Sequence, residues 1–537
     1  MTQSESTRSK SVSESAESES TEDSIVSDRW SNNITYRQLV VSSCIGIMQT
    51  WWNPYIHDLR KLVPFMFLYN VFSITIAYPM FYLELALGVV TKKGVLRCWD
   101  LVPMARGIGV AMMLCCVLTA FALGGVSAWC LAMLVHSWHT FIPWLHCAAI
   151  AMPACAARHR PLSNGSETPA QSFLFNFILN LKRDGFEGGL GNVVWELSAY
   201  YIICWVLIYF ICMKRIYSYS KLVLFKDVTA FFVLLCFVLG ASRLNGAGAM
   251  FKQCDWSVLF DNLQIWRDAV EYSLMEMGVC QGVLVILGAL CPKQKHKLSY
   301  TALLSFAASK TTTMTSVFIL GATHGALQID YDTNTTYIWD GSSASVVLWA
   351  DYVARMPGSQ FWSSLLFFTL LVLSLSSTAL LLQTVMSTVT GHTLRKVTWA
   401  FLVLGCFLFS IIGVITLCTQ GGLYVLNFLM QWPVAKPRVL IAALSAIVIT
   451  YLYGQSTFCE DVYFVVGEYP GVFMRVCWAL TPIFLLSVFL SEAGSLQTSG
   501  VVGWASVVIA VLLPVGVIMI FYLIFKCRVR NILADEK

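Results

Sequence analysis

Glu276 lies in the run SLMEMGVCQGVL, among apolar side chains and just ahead of Gly278 and Gly282. A carboxylate in such company costs free energy unless it is paired or serves a site. Two groups nearby in sequence bear on it: Glu271, about one and a half helical turns earlier, and Lys310, which directly follows Ser309 in FAASKTTT. The pattern allows an ion pair between Glu276 and Lys310, or a fixed negative charge kept for a site. A second polar group is Ser376-Ser377 in LSLSST. Serines in apolar helices commonly bond to their own backbone. A third feature is SSCIGIMQTWWNPY, where Gly46, Gln49, Asn53 and Pro54 interrupt an otherwise apolar run. His136 and His139 have an i,i+3 spacing with His146 close by; metal binding and interfacial packing both fit, and packing is the reading taken. No arrangement of nucleophile, base and orienting group stands out, and the chain is read as a non-enzyme.

The elements that must hold these groups are membrane helices. The chain has 537 residues, of which 57% are hydrophobic and only 12% charged, with a mean hydropathy of +0.69. A soluble protein carries about 25% charged residues. Apolar runs near 39–56, 62–88, 106–136, 195–213, 222–242, 267–290, 299–321, 362–388, 398–430, 438–456, 473–490 and 502–526 have the length that crosses a bilayer. Without water, each backbone N–H and C=O needs an internal partner, so the runs must be helical. The expected fold is therefore an all-α integral membrane protein of about twelve transmembrane helices. Nothing resembles a nucleic-acid-binding patch; the lipid bilayer is the expected surrounding.

Residues 1–38 are polar, and SESAESESTEDS cannot bury enough apolar surface to order itself, so a disordered cytosolic tail is expected there. Residues 39–526 form the membrane domain, with larger outer loops at 137–194 and 322–361 and a short cytosolic tail at 527–537. Placing the N-terminus inside puts Lys92, Lys93, Arg97, Arg106, Lys221, Lys226, Arg395 and Lys396 on the cytosolic side. Arg60, Lys61, Arg243, Lys252, Lys436 and Arg438 fall in short outer loops, and the bias obeys the positive-inside rule. The same topology puts the sequons at Asn164 and Asn334 outside, together with Cys147 and Cys155, a plausible disulfide. A plasma-membrane protein with both termini in the cytosol is expected. Most other cysteines lie in apolar runs, where they behave as small hydrophobes.

The two interrupted segments are the first and sixth spans, corresponding positions of two five-span halves. Broken helices at such positions point to a central binding site in secondary transporters. The text around them resembles the neurotransmitter:sodium symporter family from about residue 40 to 526. The resemblance rests on PMFYLELALG from Pro79 to Gly88 with Glu84, on Ala128-Trp129, and on Ile142-Pro143-Trp144 before the two cysteines. It continues in TQGGLYV from Thr419 to Val425, in Tyr453-Gly454, Phe458, Asp461, Gly467 and Pro470, and in Thr481-Pro482. It implies an inverted five-helix repeat with broken helices 1 and 6 and a sodium-coupled symporter of a small organic solute. The alternative is a protein of this fold that no longer transports and instead senses or binds a partner.

The resemblance also implies sites, with departures. Gly46, Leu123, Met275 and Ser377 take the substrate positions. Gly46 stands where amine carriers place an aspartate, which favours an amino-acid-like solute; Leu123 stands where a tyrosine contacts substrate. The first sodium site falls on Gln49 and Ser305 in place of asparagines. The second falls on Ser376, Ser377 and the carbonyls near Ser42 and Ile45, and it is the better matched of the two. Glu276 and Ser309 take chloride-site positions, so Glu276 is read as a substitute for chloride. The outer gate pair falls on Trp52 and Ser445, and both its charges are absent.

Overall fold

A computed structural model describes residues 33–51, 54–139, 141–147, 155–156, 167–183, 189–213, 215–292, 297–331, 341–390, 395–493 and 501–535. Both sequon asparagines and Trp52 lie outside these residues, as does the tail before residue 33. Among the described residues, ten helices are long and apolar enough to cross a membrane. The first segment adds two pieces, α1 (Asn33–Ser43) and α2 (Met48–Trp51). Helix α1 begins inside the range expected to be tail.

The continuous spans α3 (Leu59–Thr91), α4 (Pro103–His136) and α5 (Trp195–Cys212) follow. Next comes α6 (Arg215–Ala241). The sixth segment is again in two pieces, α7 (Leu263–Glu276) and α8 (Val283–Ala289). After it come α9 (Leu298–Asp330), the non-spanning α10 (Ser342–Ala354) and α11 (Ser359–Thr390). Then follow α12 (Arg395–Thr416), α13 (Gly422–Val466), α14 (Val472–Ala493) and α15 (Val502–Lys526). The two broken segments complete the twelve crossings expected.

Packing follows the repeat. The first segment packs on α9 and the sixth on α3, while α4 and α11 form the most extensive contact, through the middle of the molecule. These pairings reciprocate between the halves, as a repeat demands. At the contact of α3 with α8, small residues let the backbones approach: a Cβ on Gly88 would lie 2.1 Å from Val285 O. Asp58 caps α3 by accepting from the Arg60 N–H at 3.1 Å.

Two boundaries differ from the sequence expectation. The run read as 398–430 is not one span: α12 ends at Thr416, and α13 starts at Gly422. The turn between them pairs with the outer loop, through Val194 N–H to Cys418 O at 2.8 Å and Gln420 N–H to Asn192 O at 3.1 Å. Those loop partners satisfy backbone groups that a helix would otherwise have used. Second, α13 runs on past the expected 438–456. It contains a π-helical turn, Met430–Ala435, at Pro433, and a second one at Val448–Gly454.

Candidate functional site

The site is built on the two breaks. Between α7 and α8 the chain turns through left-handed conformations at Gly278 (φ 66°), Cys280 (φ 66°) and Gly282 (φ 73°). Glycine reaches this region at little cost, whereas Cys280 is held there by its N–H, which donates to Glu84 Oε1 at 2.8 Å. The other freed groups are answered as well. Arg438 Nη1 donates to Met275 O at 3.1 Å, and Gln49 Nε2 donates to Glu276 O at 2.8 Å. At the first break the Gly46 N–H donates to Gln49 Oε1 at 2.8 Å. The Gln49 amide therefore ties the two breaks together with both its ends engaged. Of the residues expected at the first sodium site, Gln49 is engaged with backbone, and Ser305 Oγ donates back to Thr301 O in its own helix at 2.9 Å.

Glu276 sits at the end of α7 with its side chain fully buried. Oε1 accepts from Ser309 and, at 2.8 Å, from Thr313 Oγ1. Oε2 accepts from Tyr69 OH at 2.5 Å and Lys310 Nζ at 2.5 Å. Lys310 also donates to Ser73 Oγ at 2.8 Å and to Tyr69 OH, and its ammonium lies 3.9 Å from the Tyr69 ring centroid. Of the two arrangements expected, the ion pair is formed: a carboxylate ringed by hydroxyl donors and neutralised by a lysine. Donors that would face a chloride are already directed at carboxylate oxygens, so a chloride does not fit among them. Tyr69, Thr313 and Ser73 were not picked out from sequence, where hydroxyls in apolar helices look like back-bonded ones.

Lys226 is the larger departure. Expected in a cytosolic loop, it lies buried in α6, and its Nζ donates to Ser42 O at 2.6 Å and Ile45 O at 2.6 Å. Asp227 is beside it, Oδ1 to Nζ 3.5 Å, and accepts from Ser42 Oγ at 2.8 Å. The carbonyls expected to face the second sodium therefore face an ammonium. Of the two serines, Ser377 Oγ donates to Leu373 O at 2.9 Å and accepts weakly from Ile47 N–H at 3.5 Å, and Ser376 is fully buried. A sodium ion does not fit on these carbonyls while Lys226 holds them.

The four expected substrate positions do converge. Gly46, Leu123, Met275 and Ser377 line one cavity of about 60 Å³ between the breaks, with Thr119 and Gln281 on its wall. A Cβ on Gly46 would lie 2.6 Å from Ser377 Oγ, so a carboxylate at this position would not fit without displacing that serine. Behind the wall is Arg438, fully buried in α13 rather than in the outer loop expected for it. It donates to Thr119 Oγ1 at 3.0 Å, and the Gln281 amide turns its oxygen toward the same guanidinium. Lys436, likewise expected in a loop, pairs with Glu271 at 3.3 Å with both side chains buried. Ser445 is buried in α13.

Farther out, Cys147 and Cys155 form a disulfide with a Cα–Cα distance of 5.8 Å. His136 packs among His139, Phe173 and Phe177 and directs Nδ1 at Ala132 O, 2.8 Å away. Two broken helices around a shared cavity, a reciprocal repeat and, among the described residues, twelve crossings describe a carrier scaffold. A model of the sodium:neurotransmitter symporter family matches residues 27–531, across every helix described above, and the chain belongs to that family.

Proposed function

We propose that this chain is a secondary carrier that moves a small, amino-acid-like solute through the cavity between its broken helices, with Glu276 serving as a built-in anion in place of chloride. The family is one of sodium-coupled symporters of small solutes. The observation that carries the reading is the convergence of Gly46, Leu123, Met275 and Ser377 on one cavity. One water needs about 10–15 Å³ on the same measure, so about 60 Å³ suits a few waters or a small solute's head group. With glycine at position 46 the wall there offers no carboxylate to a cationic amine, while the helix ends at the breaks suit a solute that carries its own carboxylate. Leu123 makes the pocket more apolar than a tyrosine would.

A plasma-membrane location with cytosolic termini is supported by the loop cations and by the two outer sequons. Moving Lys226, Lys436 and Arg438 into the interior leaves the excess of cations on the inner side. The alternative, a sensor that no longer transports, draws support from Gln49, whose amide clamps both breaks to each other.

Uptake of a radiolabelled amino-acid panel in oocytes tests both. Uptake above control that persists when gluconate replaces chloride is expected. Uptake that vanishes in gluconate would remove Glu276 from the anion role. No uptake across the panel despite surface expression would leave the sensor reading in its place.

A further inference from the structure

We propose that the Lys226 ammonium is the resident cation of the place between α1 and α11, and that sodium does not bind to the Ser42 and Ile45 carbonyls. The inference concerns ion occupancy and does not depend on which solute is carried. Its basis is geometric. Helix α1 stops at Ser43, and beyond it Ser42 O accepts from backbone only a turn-type bond, from the Ile45 N–H at 3.1 Å, so the Ser42 and Ile45 carbonyls lie at the open end of the helix. Such carbonyls are the negative end of a helix dipole and attract a cation. Lys226 Nζ meets both at 2.6 Å, a charge-assisted distance, and its side chain is buried.

Three features mark this as a built site rather than a lysine that happens to reach inward. The cation has a counter-charge, Asp227, on the next residue of the same helix, and that carboxylate is itself fixed by Ser42 Oγ at 2.8 Å. Ser42 thus contributes its carbonyl to the ammonium and its hydroxyl to the carboxylate, which locks the pair to α1. Lys226 also lines the cavity between the breaks, alongside Ser42, Gly46 and Ser377. A sodium ion on the same carbonyls would have to share them with an equal charge in a place of low dielectric, where like charges repel strongly.

The consequence separates this chain from an ion-gated carrier at one point. A sodium ion arrives from solution and leaves again, so its occupancy reports the gradient. An ammonium on a four-carbon stem is tethered, so the α1–α6 contact forms whether sodium is present or not. Any sodium that the chain uses binds elsewhere.

Thermal unfolding of the purified full-length protein, in sodium chloride against N-methyl-D-glucamine chloride at equal concentration, reads this directly. In the wild type, whatever sodium response exists should be unchanged by Ser376→Ala. Lys226→Ala opens the carbonyls and leaves Asp227 beside them, so it should gain a sodium-specific rise in midpoint of several degrees. Lys226→Met, whose stem still fills the space, should not. A wild-type sodium response that Ser376→Ala abolishes would overturn the proposal, because sodium would then be using the serine side of this place. A Lys226→Ala protein with no gained response would also overturn it, because the position would not be a cation site. If Lys226→Ala does not fold, the wild type and Ser376→Ala decide the matter alone.

Discussion

Lys310 and Lys226 each bring an ammonium to one of the two broken helices, against different partners. Lys310 faces a carboxylate: its Nζ is 2.5 Å from Glu276 Oε2, within a ring of hydroxyls. Lys226 faces backbone: two carbonyls at 2.6 Å, with its carboxylate farther off at 3.5 Å. Deleting the first lysine strands a buried anion. Deleting the second opens two carbonyls and leaves Asp227, partly exposed and still bonded to Ser42 Oγ, all within reach of water or a small cation. The two places have therefore been filled by the chain's own charges in ways that should fail differently.

The sharpest break is at the first place. Glu276→Ala or Lys310→Ala alone should destabilise the protein by about 3–5 kcal/mol, the usual cost of leaving one buried charge without its partner. Glu276→Ala combined with Lys310→Ala should cost much less than the two single changes together, and a double-mutant cycle on unfolding midpoints checks this. Arg438→Met should come next. It leaves Met275 O without its donor and frees Thr119 at the cavity wall, at about 1–3 kcal/mol per stranded buried group. Lys226→Met should cost about 1–3 kcal/mol by the same reasoning, less than Lys310→Ala. If Lys226→Met proves the more damaging of the two lysine changes, the contrast between anion-facing and carbonyl-facing lysines is wrong. Ser377→Ala should be the mildest, below about 1 kcal/mol, because the hydroxyl bonds chiefly to its own helix. Its effect should instead be read in apparent affinity for the solute, since it lines the cavity.

What could be read from sequence divides along the same line. Apolar runs, loop cations and the Gly-and-Pro interruptions carry the scaffold, since hydrocarbon imposes helices and broken helices need a polar reason. Glu276 and Lys310 were visible because charges inside apolar runs stand out. Lys226 was not, because it lies close to the edge of its run, after KLVLF, where a loop lysine looks the same. Arg438 and Lys436 were hidden differently. Pro433 and Pro437 break the hydropathy pattern, so both cations read as loop, whereas the helix continues through a π-helical turn and buries them. The backbone bonds of Gln49 are not legible in sequence because a long amide at an ion position can also reach backbone on two helices. That choice is made by tertiary packing.

The central claim is that the ion place on the α1 carbonyls is filled by the chain itself. A high-resolution electron cryomicroscopy map of the protein in lipid nanodiscs, with sodium chloride as the only salt, tests it most directly. The account predicts density between Ser42 O and Ile45 O that is continuous with the Lys226 stem. Isolated ion density on those carbonyls, with the Lys226 side chain turned away, would contradict it.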